Sequence, residues 1–267
     1  VEAEDRSTHK ALVEYFQKPV EEKSGGTIKV EIYPNSALGG DAELTESVAM
    51  GSLTAALPST SVLVAYSPDF GVMDMPWLFS NAQNAFEAMD GDMGDYFNQK
   101  LEAVGIHCLG YSYNGLRSMT NNVRPITKPE DLKGLKMRVM ENQVFIDFFN
   151  TLGASATPMG FNELFTGLQQ NTVDGQENPP SLIYASKFQE VQKYLSVTEH
   201  VNNFLGFIMN KDFYDGVVDT APLVGFLLMI PIFNKSAELC VPYFNALLGG
   251  IIPNSTLVIS IFFAVLA

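Results

Sequence analysis

The stretch "GLKMRVMENQ" (residues 134–143) sets one arginine in an apolar alternation: Leu135, Met137 and Val139 face one way, Lys136, Arg138 and Met140 the other. Period-two alternation predicts a half-buried strand over 135–139, and "NQVFIDFFNTLG" (142–153) predicts the helix that follows it. Strand feeding helix, repeated along a chain, is the signature of an α/β fold. An arginine withdrawn from water on such a strand needs an anionic partner. Two sources stay open: a carboxylate of the chain, with Glu141 and Asp174 in reach by sequence, or an anion that arrives from outside.

The neighbouring segments extend the pattern. "STHKALVEYFQKPVEEKSGG" (7–26) predicts an amphipathic helix capped by Ser7 or Thr8, with Leu12, Val13, Phe16 and Val20 as its stripe. Pro19 is expected to kink or split it, and Gly25-Gly26 to end it. "TIKVEIY" (27–33) predicts a strand, "GGDAELTESVAMG" (39–51) a helix capped by Asp41, and "SLTAAL" (52–57) a short buried strand leading into "PSTS" (58–61). One or two helices are expected over 81–105, a strand over "IHCLGYSY" (106–113), a helix start at Pro129, and a helix then a short strand over "ELFTGLQQNTVDG" (163–175). No internal repeat or low-complexity segment interrupts this order.

Composition narrows the function. The 267 residues carry 30 acidic and 16 basic side chains, a net charge of −14 that repels phosphate backbones and excludes nucleic acid as an expected partner. Cys108 and Cys240 match no metal spacing, and His9, His107 and His200 are too scattered for a zinc site. There is no phosphate loop or dinucleotide glycine fingerprint, and "GYSYNG" (110–115) spaces its glycines too widely for a nucleophile elbow at Ser112. His107, between Ile106 and Cys108, reads as a strand histidine and not as a base, so no enzyme is expected. The polar start "VEAEDRSTHK" leaves either an intracellular chain or one whose leader has been removed. From Val217 onward only Asp219, Lys235 and Glu238 are charged; the run 246–267 is long enough to span or contact a membrane, whereas 221–233 is short for a span.

Polar groups remain at the ends of apolar elements: Ser59, Thr60 and Ser61 in "PSTS", Arg117 in "NGLRSMTNN" (114–122), Arg138, and Gln176, Glu177 and Asn178 in "DGQENPP" (174–180). Ligands of open α/β sheets gather beyond the carboxyl ends of strands. A guanidinium fork is the side chain best shaped to grip a carboxylate there. The residues alone therefore describe an α/β protein with a candidate anion site.

Three stretches together, "VEEKSGGTIKVEIYPNSALGGDAELTESVAMGSL" (20–53), "NGLRSMTNNVRPITKPEDLKGLKMRV" (114–139) and "GASATPMGFNELFTGLQQNTVDGQENP" (153–179), resemble the DctP-type substrate-binding proteins of TRAP (tripartite ATP-independent periplasmic) transporters. The resemblance covers about residues 8–216. It implies an α/β, two-lobed periplasmic-binding-protein fold with a hinge and a ligand cleft between lobes: 1–113 as lobe I, 114–202 as lobe II, 203–216 as return segment, and 217–267 as an atypical tail. It further implies a periplasmic receptor that hands a small carboxylate, such as a C4-dicarboxylate, 2-oxoacid or sugar acid, to TRAP membrane permease subunits. Arg138 would bind the carboxylate bidentately, Arg117 and Asn178 would add contacts, Phe161 would line the cleft, and Ser59, Thr60 and Ser61 would touch the ligand. No cofactor is implied, but some relatives bridge substrate and protein with a metal ion, which makes Gln176 and Glu177 candidate metal residues. The chain departs from the family pattern in opening without the first strand, in Pro19, in Gln143 where Pro is usual, and after Val217. A carboxylate receptor in a sensory system is the alternative binding reading, and an organic-acid enzyme the alternative of another class.

Overall fold

The computed structural model describes residues 6–220 and 257–258. The first described elements are α1 (Ser7–Leu12), a π turn over Val13–Gln17 and α2 (Lys18–Lys23). The π turn is the answer to Pro19: the N–H of Lys18 reaches back five residues to the carbonyl of Val13, and the helix runs on in place of breaking. Arg6, in extended conformation, takes the N-cap position, so Ser7 and Thr8 lie inside the helix and not at its cap. Gly25 and Gly26, at φ 61° and 80°, end α2 as expected.

Residues 27–33 depart from the predicted strand. Ile28, Val30 and Ile32 do alternate inward, but the backbone joins no ladder. Ser24 Oγ bonds both the N–H and the carbonyl of Ile28, Glu21 accepts from the N–H of Val30, and Gln17 donates to its carbonyl. Side chains of the preceding helix thus satisfy the groups that a neighbouring strand would otherwise take. In α3 (Asp41–Ala49) Gly40 is the N-cap and Asp41 the first helical residue; Glu43 closes the turn by accepting from the Gly40 N–H at 2.8 Å. β1 (Ala55–Ala56), α4 (Ala82–Met89), α5 (Asp92–Glu102), β2 (Ile106–Leu116), β3 (Ser118–Asn121), β4 (Lys136–Val139), α6 (Gln143–Thr151) and β5 (Ser155–Pro158) follow. The rest of the described chain is α7 (Phe161–Gln169), β6 (Gly175–Asn178), α8 (Pro180–Ala185), β7 (Tyr194–Ser196), β8 (Asn202–Asn210), α9 (Lys211–Thr220) and β9 (Leu257–Val258).

Two sheets organise these elements. The first, β1-β8-β2, is antiparallel; the second, β5-β4-β6-β3-β7-β9, is mixed, with β4 parallel to both β5 and β6. The parallel pairs are made by crossovers through α6 and α7, as the strand–helix alternation demands. Phe70, Phe97, Leu101 and Ile208 pack in one core of the first sheet, and Phe16, Leu205, Phe207 and Tyr214 in another. Around the second sheet, Leu135, Val139, Phe145 and Phe149 form one cluster and Leu164, Leu168, Val173 and Phe188 a separate one. Burial on both faces explains why β8 reads as a continuous apolar run. Residues 203–216, expected as a return segment, are therefore the middle strand of the first sheet and the helix after it.

Within residues 6–220 the chain crosses between the sheets at Leu116–Ser118 and at Ser196–Asn202. The crossings pair with each other: Arg117 N–H donates to Val201 and His200 N–H to the Arg117 carbonyl. No described helix is long and apolar enough to cross a membrane. The apolar runs 221–233 and 246–267 lie outside the described residues except for Leu257–Val258, which pair in parallel with Leu195–Ser196.

Gly175 shows why "DGQENP" begins as it does. A Cβ there would sit 2.2 Å from the Thr120 carbonyl oxygen and 2.9 Å from Met137 Sδ, because β6 is wedged between β3 and β4. Gly175→Ala is expected to destabilise the fold by about 1–3 kcal/mol through overpacking, read as a lowered urea midpoint with an unchanged slope.

Candidate ligand-binding site

Arg138 is the next-to-last residue of β4, and it is only 2 % exposed. Its Nε donates to the Met159 carbonyl at 2.8 Å, while its buried Nη1 meets no acceptor. Neither Glu141 nor Asp174 pairs with it; the Asp174 carboxylate accepts from the Lys136 N–H. Burial lowers the Arg138 pKa to about 10, with the nearby Arg117 charge acting in the same direction and Glu177, Asp41 and Glu141 opposing it. At neutral pH it is still a cation.

Arg117 is the opposite case. At the crossing between the sheets, its Nε and Nη2 grip both oxygens of Glu177, and Nη2 also reaches the Glu177 carbonyl and Asn178 Oδ1. Nη1 donates to Asn203 Oδ1 at 3.2 Å, and the guanidinium lies over the Phe145 ring. Burial alone would push the Glu177 carboxyl up, but the Arg117 charge and hydrogen bonds, with His200, hold it at about 2. Thr198 Oγ1 lies 2.8 Å from Nδ1 of His200; a hydroxyl donating there leaves the ring proton on Nε2, which faces Glu177 at 3.3 Å.

Arg138, Arg117, Asn178, Phe161 and Ser59 line one cavity, together with Asp41, Asn114 and Glu141. Arg138 and Asn178 come from the carboxyl ends of β4 and β6, and Phe161 from the first turn of α7. The cavity holds about 30 Å³, on the scale of one water. Thr60 and Ser61, expected beside Ser59, turn away from it. Thr60 Oγ1 donates to the Phe204 carbonyl and Ser61 Oγ to Asp74 at 2.5 Å, because the 3-10 turn over Thr60–Ala65 aims them into the first sheet. Gln176 and Glu177 do not fit a metal site: Gln176 Oε1 accepts from Asn178, and both Glu177 oxygens are held by Arg117. No group of three His, Cys, Asp or Glu suited to a metal occurs among the described residues.

Several residues of this region gave no signal in the sequence. Asn203 donates to Ser59 and Ser61, Asn142 Nδ2 donates to the Ser61 carbonyl and to Asp74 at 2.7 Å, and Asn114 donates to Asn203. Each is a lone polar residue whose partners lie far away in the chain. His107 is elsewhere, paired with Glu102 and stacked on Tyr214, and the buried Cys108 thiol is pushed up to about 11 by burial. A second and larger cavity, about 610 Å³, lies between α1, α2, residues 27–38 and β1, lined by Leu12, Phe16, Val20, Phe207 and Met209; none of the expected site residues borders it.

The profile of "DctP: Bacterial extracellular solute-binding protein, family 7" matches residues 1–221, and the chain belongs to that family. Its curated relatives include a solute-binding protein of Verminephrobacter eiseniae (strain EF01-2), 40 % identical over 211 residues, 79 % of this chain and 63 % of the relative. The chain thus spans a little over three fifths of that relative's length. Among solved structures, the sugar acid binding protein DctPAm of Advenella mimigardefordensis strain DPN7T in complex with galactonate is 38 % identical, with a TM-score of 0.79 over 91 % of this chain and 81 % of that one. A TRAP periplasmic solute-binding protein of Sulfitobacter sp. NAS-14.1 with bound β-D-galacturonate is 29 % identical, with a TM-score of 0.89 over 98 % of this chain and 87 % of that one. The family is one of extracytoplasmic solute-binding receptors and not of enzymes.

Asp74 supplies a test of the buried network. Burial raises its carboxyl from 3.8 to about 7, against the Ser61 and Asn142 hydrogen bonds and the Arg117 charge, with Glu177 adding to the rise. The folded chain therefore keeps a proton that the unfolded chain releases, so stability should fall as pH rises from about 4 to about 7. Glu177, held near 2 against 4.5 when free, works the other way at the acid end, its contribution still growing until the unfolded carboxyl is ionised, so the Asp74 slope stands alone above about pH 5.5. Chemical denaturation at a series of pH values should show this slope, and Asp74→Asn should flatten it.

Proposed function

We propose that this chain is a periplasmic receptor that captures a small organic acid between its two sheets and delivers it to a TRAP-type membrane permease. The observation that carries the reading is the Arg138 guanidinium, buried at a strand end with Nη1 lacking an acceptor. A carboxylate is the group that such a fork is shaped to receive, and it offsets the desolvation of both charges. The ligands bound in the two solved relatives, galactonate and β-D-galacturonate, are both carboxylates. Arg138 is the anchor, Asn178 and Ser59 are polar contacts, and Phe161 is an apolar wall. Arg117 acts beside them from within its bond to Glu177, orienting Asn178. The ligand is bound and released unchanged.

An organic acid does not fit in 30 Å³. The two sheets with their helices are therefore the lobes, and they part for entry by hinge motion at the paired crossings. On this reading residues up to about 116 form the first lobe and 118–196 the second, with β8 returning to the first.

A thermal-shift screen against organic acids, sugar acids, amino acids and neutral sugars tests the reading directly. A true ligand at about a thousand times its Kd adds roughly 4 kcal/mol of stability, and the shift should be confined to carboxylates. Arg138→Ala should weaken binding by about 2–5 kcal/mol while the apo protein melts near wild type or above it. Arg138→Lys should also lose most affinity, since the fork is gone. Arg117→Ala should behave differently, lowering apo stability by about 3–5 kcal/mol by stranding Glu177. Unchanged carboxylate affinity in Arg138→Ala would return that residue to a structural role.

A further inference from the structure

The seam between the two sheets holds a carboxylate whose partners are uncharged. Asp74 ends the 3-10 turn over Pro68–Asp74, which packs on Thr60–Ala65 and β8 on the side of the first sheet, and it is 2 % exposed. Its Oδ1 accepts from the Ser61 hydroxyl, and its Oδ2 accepts from the Asn142 amide at the head of α6, on the side of the second sheet. Asn142 also donates to the Ser61 carbonyl, so one amide holds two groups across the seam. Gly71, on the same turn, lets α6 come this near: a Cβ there would sit 3.3 Å from Val144 Cγ2. None of Ser61, Asp74 and Asn142 borders the Arg138 cavity. We propose that Asp74 is a proton-carrying latch between the lobes: the lobes close on its protonated form, and the proton leaves for water when they part. This rests on the reading of the two sheets as lobes that move.

A carboxylate taken out of water stays an anion only where cations or several strong donors hold it. Asp74 is offered a hydroxyl and an amide, and the Arg117 charge that acts on it is engaged by Glu177, which acts in the opposite sense. The elements packed around it add no counter-charge. Thr60–Ala65 and β8 carry no titratable side chain, and Asp147 of α6 is exposed and bonded to Gln143. Asp69 of the same turn faces Tyr96 and Lys100, and His200 bonds Glu177. Burial accordingly raises the closed carboxyl from 3.8 to about 7. A proton on Oδ1 keeps both hydrogen bonds, since the Ser61 hydroxyl can accept as well as give and Oδ2 still accepts from Asn142. Once α6 moves off, Oδ2 meets water and the carboxyl returns toward its ordinary range. The closed form thus holds a proton between about pH 4 and about pH 7 that the open form has lost, and closing is favoured as pH falls through that window.

Trp77, the single tryptophan, reports on this seam: its backbone N–H donates to the His200 carbonyl, and its ring meets Phe148 of α6 edge-on at 6.1 Å. Its emission in the full chain, titrated from about pH 5 to about pH 8, should move to the blue as pH falls, in a one-proton transition. Asp74→Asn keeps both hydrogen bonds through its amide and should show the low-pH spectrum throughout. Asn142→Ser still caps α6 but falls short of Asp74, and should show the high-pH spectrum throughout. A flat wild-type titration would overturn the latch, as would a transition that survives in Asp74→Asn, which would belong to His200.

Calorimetry with D-galactonate separates the latch from the receptor reading beneath it. Affinity should drop by up to about tenfold from about pH 6 to about pH 8, and binding at about pH 6.5 should take up roughly half to one proton, read by comparing PIPES and imidazole buffers. Binding with no proton uptake would strike the latch and leave the receptor standing. Silence of D-galactonate and of the wider acid panel, with a Trp77 transition that still vanishes in Asp74→Asn, would uphold the latch and strike the receptor.

Discussion

The ion pair between Arg117 and Glu177 is the constraint on which the rest of the structure depends. Removing two such charges from water costs several kcal/mol each, and only complete hydrogen bonding repays it. Here both Glu177 oxygens are taken, and all three guanidinium nitrogens donate. The pair also decides where the two sheets meet. Arg117 lies on one crossing and bonds the other through its backbone, Glu177 lies on β6 inside the second sheet, and Asn203 lies on β8 in the middle of the first. From Asn203 the network passes to Ser59 and Ser61, and from Ser61 to Asp74 and Asn142. A shift of either sheet by one residue would leave several of these groups buried without partners.

That commitment determines what the second arginine can do. With Glu177 spent on Arg117, Arg138 sits in the same low-dielectric region with a cationic neighbour and no carboxylate bound to it. A guanidinium in that position is costly in the free chain. On the proposed reading an anionic ligand would relieve that cost, so part of its binding free energy would be stored in the fold beforehand. The two arginines, alike in sequence context at the ends of apolar strands, are thus divided by their partners: one fixes the frame, and the other faces the cavity.

How much of this was legible follows the range of the interactions. Period-two alternation at 135–139 and helical periodicity after it are local, and β4 and α6 fall where they indicate. Residues 27–33 alternate equally well yet make no strand, because strand formation also needs a neighbour, and Ser24, Glu21 and Gln17 supply the bonds instead. The family resemblance brought Arg138, Asn178, Phe161 and Ser59 to one cavity but could not separate Ser59 from Thr60 and Ser61, whose directions are set by a 3-10 turn. Asn203, Asp74 and Asn142 were invisible because each earns its place through a contact spanning the sheets. Asp41 was read as a helix cap; its position one residue later, inside the turn, is what leaves its carboxylate on the cavity wall.

Size and function part company in the two cavities, and the reason is electrostatic. The 610 Å³ groove has room for an organic acid, yet its lining is chiefly apolar, and the charged residues on it, Lys29 and Glu31, are exposed. A carboxylate placed there would lose water and gain no buried cation. The 30 Å³ cavity offers the cation but no room, so admission of a ligand must separate groups that now touch across it. Asn142, at the head of α6, bonds Ser61 and Asp74 from the other sheet at 2.9 and 2.7 Å. If the chain binds an acid as proposed, contacts of this kind would hold back its entry and, re-formed over it, would exclude the water that weakens an ion pair at Arg138. On the proposed reading, affinity is the strength of that grip less the cost of parting the sheets, which would make the inter-sheet hydrogen bonds as much a part of binding as the residues that touch the ligand.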